Sequence, residues 1–395
     1  MNATVPPRPP IAFIDLAAQR RRIAEGLDRR LAKVLEQGAY IMGPEVRELE
    51  SALAAFSATR YCLSCANGTD AIALPLMAWG IGPGDAVFCP SFTFVATAEV
   101  VPWVGATPVF VDVLPDTYNL DPAHLEASIQ MIQKEGKLRP RAVIAVDLFG
   151  QLADYPALAA IAKKYGLKLI SDSAQGYGGT LRGAHPGAWA DVVTTSFYPA
   201  KPLGAYGDGG AILMNDERLY HEIDSLRVHG KVTPIDGGAD AFAHDPKYLN
   251  VRIGMNSRLD TMQAAILLEK LAIFADEIVA RNKVADRYAR RLGNAVRTPT
   301  VIAGGVSTWA QYTIESRDRD GLAKHLKAAG VPTAVYYPVP VHKQGPYARF
   351  PCGPGGLPVT ERLSGVAISL PMHPYLDEAT QDHIIDAVQA FEKGA

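Results

Sequence analysis

Ser196-Phe197-Tyr198-Pro199-Ala200-Lys201-Pro202-Leu203-Gly204, followed by Tyr206-Gly207-Asp208-Gly209-Gly210, is the stretch on which the reading of this sequence turns. A β-rich run ends at Ser196, a loop carries one lysine, and glycines lead into a second apolar run at residues 211–214. A lysine on a short, glycine-flanked loop at a strand end can approach a bound group closely, and lysine is the side chain that condenses with carbonyls. Standing alone, the loop would read as a solvated lysine beside a turn. The glycines do not complete G-x-G-x-x-G and they precede a strand rather than a helix, which counts against a dinucleotide fingerprint. A dehydrogenase is therefore a fold-level alternative without a motif behind it.

Working outward, short β-rich runs at residues 60–66, 86–89, 108–113, 142–146, 167–171, 192–196 and 211–214 alternate with helical stretches. That alternation predicts an α/β domain with a mainly parallel, seven-stranded sheet covered by helices on both faces. Such sheets place ligands at the carboxyl ends of their strands. Before the sheet, an amphipathic helix through residues 16–27 and a second helix restarting at Gly43-Pro44, with proline at its tolerated first position, form an N-terminal arm. After Arg258 a long helical pattern, with Leu259, Met262, Ile266, Leu271 and Phe274 among its apolar positions, runs toward Arg291. The tail then reads as a strand around 309–314, a helix around 322–329, a strand at 333–337 and a final helix after Asp377. Two units result: residues 1–258, an arm and large domain, and residues 259–395, a connecting helix and smaller α+β domain. Residues 231–247, rich in Gly, Asp and Pro, read as a surface loop.

Composition bounds the function. Lys+Arg total 39 and Asp+Glu 41, a net charge of −2, so no polyelectrolyte face is offered to nucleic acid or an anionic membrane. With 48% hydrophobic and 20% charged residues the chain can bury a large core. The four cysteines, Cys62, Cys65, Cys89 and Cys352, are too few for a disulfide scaffold. The start MNATVPPRPP lacks the basic and apolar regions of a secretory signal, and the most apolar region, 87–113, is interrupted by prolines and acids. A cytoplasmic location is expected. Cys62-Leu63-Ser64-Cys65 matches C-x-x-C but lies within a strand, with no second pair and no histidine at zinc spacing, so it reads as core and no metal site is expected.

Three further elements accompany the lysine loop. Leu169-Ile170-Ser171-Asp172-Ser173-Ala174-Gln175 puts a carboxylate at the end of an apolar strand. There it can pair with a pyridinium nitrogen and keep it protonated, although Asp at such a place is also a common N-cap. Cys65-Ala66-Asn67-Gly68-Thr69-Asp70 passes from strand through glycine into a helix, whose first N–H groups, with the Thr69 hydroxyl, can hold a phosphate. Pro90-Ser91-Phe92-Thr93-Phe94-Val95-Ala96-Thr97 offers two aromatics, either of which could stack on a planar ring or pack in the core.

In this order, ANGTD at 66–70, PSFTFVAT at 90–97, SDSAQ at 171–175, SFYPAKPLGAYGDGG at 196–210 and GMNSRLDTMQAA at 254–265 resemble the nucleotide-sugar aminotransferases of the DegT/DnrJ/StrS family. Those are pyridoxal-phosphate enzymes of fold type I, and the likeness covers nearly the whole chain. The resemblance implies that Lys201 binds the cofactor covalently and moves the proton between cofactor and sugar carbons, and that Asp172 pairs with the pyridine nitrogen. It further implies that Gln175 contacts the phenolic oxygen, that Gly68, Thr69 and Ser196 hold the phosphate, and that Phe94 stacks on the ring. Residues 254–259 would come from the neighbouring subunit, so that Asn256 completes the phosphate site across a homodimer interface, with Arg258 open between that site and a structural role.

The sequence departs from the family pattern in places. Asp147 stands where many members carry histidine, Ser173 replaces the commoner Ala or Cys, and Pro202 replaces the Asn that often follows the lysine. The Lys-Pro-Leu-Gly form, with the residues around ANGTD, looks most like members acting on UDP-linked 3-keto sugars. The expected reaction is transfer of an amino group from L-glutamate to such a sugar, in the making of an amino sugar for a surface glycan. A dTDP- or GDP-linked 4-keto-6-deoxy sugar is the alternative acceptor. A pyridoxal-dependent dehydratase resembling this family would have histidine in place of Lys201, and a non-catalytic regulator would need a decayed site. Tyr336-Tyr337-Pro338-Val339-Pro340-Val341-His342 resembles the family's Tyr-Pro-x-Pro-x-His stretch, but His342 and His229 stay open between pocket and structural roles.

Overall fold

A computed structural model describes residues 10–237 and 248–394. Most of MNATVPPRPP, and most of the predicted surface loop at 231–247, lie outside the described residues. Three helices lead in: α1 (Leu16–Arg22), α2 (Ala24–Gln37) and α3 (Pro44–Phe56). The single helix predicted over 16–27 is interrupted at Ile23, whose φ −106 and ψ 9 are not helical, so the chain turns where the side chain itself is buried.

Strands β1 (Tyr61–Cys65), β2 (Asp85–Pro90), β3 (Thr107–Val111), β4 (Arg139–Val146) and β5 (Lys168–Asp172) belong to the central sheet. A two-residue β6 (Thr180–Leu181) lies outside it, and β7 (Val192–Ser196) and β8 (Gly210–Met214) complete it. The order is β1-β8-β7-β5-β4-β2-β3, and β8 alone runs antiparallel to its neighbours. All seven predicted strands are present within a few residues of their expected bounds.

Side chains alternate between the two faces, as the two-residue period of a strand requires. Phe88, Val143 and Leu169 pack beneath α6 (Pro122–Glu135) and α7 (Tyr155–Tyr165) with Leu125, Ile129 and Leu158. Their neighbours Val87, Ile144 and Ile170 face the other way, against Ile72 and Leu76 of α4 (Gly68–Ala78) and Val100 of α5 (Ala96–Trp103). Burial on both faces explains why these strands are continuous apolar runs. After the sheet, α8 (Glu217–Leu226) packs Leu219 and Ile223 against β1 and β8.

The helix α9 (Thr261–Leu292) has 32 residues, a length of about 48 Å at the usual rise. That reach lets it enter two cores. Ala264, Leu267 and Phe274 pack with Leu53, Phe197 and Leu203, while Val284, Tyr288 and Leu292 pack with Ile314, Leu322, Ile368 and Ile384. The second core collects β10 (Tyr312–Glu315), α10 (Arg319–Ala328), β11 (Ala367–Leu370) and α12 (Glu378–Gly394), while a short β9 (Gly305–Val306) pairs with β6 and α11 (Pro358–Val366) precedes β11. The strand predicted at 333–337 is not formed. A single bridge, Ala334 to Ser369, stands in its place, and the Tyr336–Tyr337 peptide is cis. Pro332, Pro338 and Pro340 surround the segment, and a residue without N–H cannot extend a ladder.

Parallel topology brings the ends of β1, β2, β4, β5 and β7 to one edge. Cys65 and Ser196 both lie opposite Gly210, and a Cβ on Gly210 would sit 2.4 Å from the Asn67 carbonyl oxygen. Backbone cannot yield as a side chain does. Gly210→Ala should therefore lower stability by roughly 1–3 kcal/mol in urea unfolding, whereas Gly345→Ala, with nothing within 4 Å of the added methyl, should be neutral. Equal effects at the two sites would contradict the packing described.

Candidate active site

Asp172 is the last residue of β5 and is buried. Its Oδ2 accepts from the Thr97 hydroxyl at 2.8 Å and its Oδ1 from the Ala174 N–H at 3.2 Å; Thr97 is in turn 3.0 Å from the Thr93 hydroxyl. Burial pushes the Asp172 carboxyl above its ordinary range, opposed by those two hydrogen bonds and by the charge of Lys201. A carboxyl so placed gains from a cationic partner.

Lys201 is on the loop between β7 and β8. That loop folds on itself through Phe197 N–H to Gly209 O and Ala205 N–H to Phe197 O, each 2.7 Å, and Lys201 N–H to Tyr198 O, 2.8 Å. Helix α9 anchors it from outside: Gln263 Oε1 accepts from Tyr206 N–H at 2.9 Å, and Lys270 Nζ donates to Gly204 O at 2.5 Å. Desolvation holds the Lys201 amine below its ordinary value, with Asp172 acting in the opposite sense. The two groups feel each other electrostatically, yet among the described residues they form no ion pair. A desolvated amine and a buried acid at one strand edge suit a group that is both carbonyl and cation.

The third component is the start of α4. Asn67 caps it, its Oδ1 accepting from Asp70 N–H at 2.8 Å, which leaves the Gly68 and Thr69 amides as the open donors of the first turn. Gly68 lies against Ser196, where an added Cβ would meet Ser196 Cβ at 2.6 Å. Amides, a threonine hydroxyl and a serine hydroxyl thus converge on a cradle that a larger residue would fill, a donor set suited to a phosphate dianion.

Gln175 is buried two ways: Oε1 accepts from Phe149 N–H at 2.7 Å and Nε2 donates to the Tyr337 hydroxyl at 3.0 Å. The aromatic ambiguity resolves cleanly. Phe92 is fully buried among Tyr118, Phe149 and Tyr337, while Phe94 is 54% exposed, so only Phe94 presents a ring to a ligand. Asn256 is placed differently from the others. It is exposed, bridges to Val228, and lines a cavity of about 470 Å³ with Ala66, Gly207 and Arg258; no described contact joins it to Lys201 or Asp172 of its own chain. A larger cavity of about 830 Å³ beside it is lined by His229, Lys231, Asn250 and Arg258.

His342 is neither in a solvent-exposed turn nor free. Its Nδ1 is 2.7 Å from Ser91 Oγ and its Nε2 3.3 Å from Glu361 Oε1, tying the end of β2 to α11. The C-x-x-C pair lies in β1 as core, with burial pushing the Cys65 thiol up to about 12. Sequence reasoning assigned no role to Thr97, Lys270 or Asp147, and took Tyr337 only as part of the stretch at 336–342. Thr97 was visible in the motif at 90–97, one helical turn from Thr93, but its partner 75 residues away was not.

The parallel sheet with a lysine, a buried acid and an anion cradle along its carboxyl edge has the architecture of the fold type I pyridoxal-phosphate enzymes, and here of an aminotransferase. The chain belongs to the DegT/DnrJ/EryC1/StrS aminotransferase family, which it matches over residues 21–389. It is 48% identical, over 94% of its length and 97% of the relative's, to the UDP-2-acetamido-2-deoxy-3-oxo-D-glucuronate aminotransferase of Pseudomonas aeruginosa. The crystal structure of a DegT DnrJ EryC1 StrS aminotransferase from Brucella abortus superposes with a TM-score of 0.92 at 52% identity, covering 97% of this chain and 99% of that one. A Bacillus subtilis protein solved with bound cofactor PMP superposes at 0.82 with 28% identity, over 99% of this chain and 86% of that one. The family is pyridoxal-phosphate-dependent.

The lowered Lys201 value carries a stability consequence. Between the folded value and the ordinary 10.5 the unfolded chain holds more protons, so stability on this account rises with pH through that window. Below it, the buried charge opposes folding in full. Lys201→Met should therefore raise the urea midpoint of the cofactor-free protein most at neutral pH, the gain shrinking as pH approaches 10.5. A difference that does not vary with pH would contradict the desolvation of this amine.

Proposed function

We propose that this chain is a pyridoxal-phosphate-dependent aminotransferase that moves an amino group from L-glutamate to the C-3 ketone of a UDP-linked keto sugar, as a step toward an amino sugar for a surface glycan. One observation carries the reading: the desolvated Lys201 and the buried Asp172 meet at one sheet edge beside the α4 cradle. The 48% identity to an enzyme named for a UDP-linked 3-oxo sugar supports the acceptor.

When bound, pyridoxal phosphate supplies a carbonyl that carries the amino group and a ring that absorbs electron density. The residues of the chain do the rest. Gly68, Thr69 and Ser196 would hold the phosphate, and Phe94 would offer its exposed ring for stacking. Asp172, held by Thr97 and Ala174, keeps a proton on the ring nitrogen, because a buried acid is stabilised by a cation beside it. Gln175 would contact the cofactor through its amide, which Phe149 and Tyr337 hold in place. Lys201 Nζ would hold the cofactor through its carbonyl and, as the amine nearest that carbon, would serve as the base that moves the proton; its lowered basicity suits a base working near neutrality.

Asn256 serves the active site of a second copy, in a homodimer whose sites are shared. Its exposure at a cavity lined by Ala66 and Gly207 supports this, as does the apolar surface next to it, with Ile253 93% and Val251 40% exposed. In this reading residues 1–258 hold the cofactor and residues 259–395 form the smaller unit, a division supported by the two cores that α9 joins. The free, mostly buried cysteines support a reducing, cytoplasmic setting.

Protein loaded with pyridoxal phosphate and given L-glutamate with a UDP-linked 3-keto sugar should release 2-oxoglutarate and amino sugar in equal amounts. Lys201→Ala should abolish both this turnover and the visible absorbance of the lysine-bound cofactor. Full activity in that variant would overturn the mechanism, and faster turnover of a dTDP-linked 4-keto-6-deoxy sugar would overturn the acceptor. Ile253→Asp should shift the protein from dimer to monomer in sedimentation and weaken cofactor retention; an unchanged dimer would contradict the interface.

A further inference from the structure

A second carboxylate lies behind the first. Asp147 follows β4 and is fully buried. Its Oδ1 accepts from the Tyr155 hydroxyl at 2.7 Å and the Ala153 N–H at 3.1 Å. Its Oδ2 accepts from the Ser171 hydroxyl at 3.2 Å and from the Ser173 hydroxyl. Ser171 and Ser173 are also within 2.9 Å of each other. These two residues flank Asp172, and in extended chain their side chains point away from its own. The network therefore grips the strand end from the reverse face and leaves the Asp172 carboxyl free toward Thr97 and Lys201.

The same short segment holds the other residue expected to meet the cofactor. Asp147 N–H donates to Asp172 O at 3.0 Å, and two residues on, Phe149 N–H donates to Gln175 Oε1. Gly176 is pressed against Asp147 so closely that an added Cβ would lie 2.3 Å from Asp147 Cβ. Asp172 and the turn after it are thus held by the Asp147 side chain and main chain, and Gln175 by the main chain two residues on. Asp147 and Ser173 bond to each other directly.

We propose that Asp147 is a positioning residue, which fixes the Asp172 carboxyl and the Gln175 amide against the cofactor ring through Ser171, Ser173 and the main chain. An ionisable group is an expensive way to fill core: burial pushes this carboxyl up to about 7 against all four hydrogen bonds, and an apolar residue of similar size would avoid that penalty. Four donors on a single carboxylate instead give direction, and the donors belong to the elements that frame the site.

The inference rests on the cofactor reading above, and the test separates the two. Cofactor-free wild type, Asp147→Asn, Ser173→Ala and the double variant are titrated with pyridoxal phosphate, following the visible absorbance of the lysine-bound cofactor, its pH midpoint, and thermal unfolding without cofactor. Asp147→Asn keeps the shape but places an amide among donors. It should weaken cofactor binding on the order of tenfold, the scale on which outer-shell partners act, and shift the pH midpoint. Ser173→Ala, which removes one bond and leaves the core filled, should move both readouts in the same direction, with the double variant less than additive. Wild-type binding and midpoint in Ser173→Ala and Asp147→Asn, with or without lost stability, would overturn the positioning role. Failure of wild type to develop the absorbance would instead overturn the cofactor reading, and this inference with it.

Discussion

The site depends on a buried acid and a half-buried, desolvated amine that share a poorly solvated region without closing into an ion pair. Asp172 is raised and Lys201 lowered by the same cause, loss of water, and each partly relieves the other through space. Left to themselves, flexible side chains would collapse onto each other. What keeps them apart is the backbone: Asp172 is fixed at the end of a sheet strand, and Lys201 sits on a loop pinned from within by its own hydrogen bonds and from without by Gln263 and Lys270.

The sheet topology does the assembling. Parallel strands deliver their carboxyl ends to one edge, so residues far apart in sequence become neighbours without long excursions of chain. Glycines at 68 and 210 then allow the α4 start, Ser196 and the β8 start to approach at distances that a single methyl would forbid. Helix α9 links this edge to the second core, since the face that holds Gly204 and Tyr206 belongs to the same rod whose far end packs with β10 and β11.

Much of this was legible in the sequence because the relevant signals are local. Each strand is a short apolar run bounded by turn residues, and Lys201, Asp172 and Gly68 stand at run ends, where a parallel sheet must place its ligands. The failures were of another kind. Thr333 to Tyr337 has strand-like residues, yet the prolines on either side deny it a ladder. Phe92 and Phe94 have the same chemistry, and only tertiary packing shows that one is core and the other faces outward. Asp147 and Thr97 act through partners on other strands, so nothing within their own motifs announced the contact. Asn256, whose place in a shared site the likeness alone suggested, is not joined to Lys201 within one chain.

The claim at the centre is that the single amine poised for covalent chemistry is that of Lys201. Borohydride reduction of the protein loaded with pyridoxal phosphate, followed by peptide mass mapping, reads this directly. One pyridoxyl group per chain on the peptide containing Lys201 is the expected result. Label on any other lysine, the buried Lys270 included, or no label at all would contradict the account.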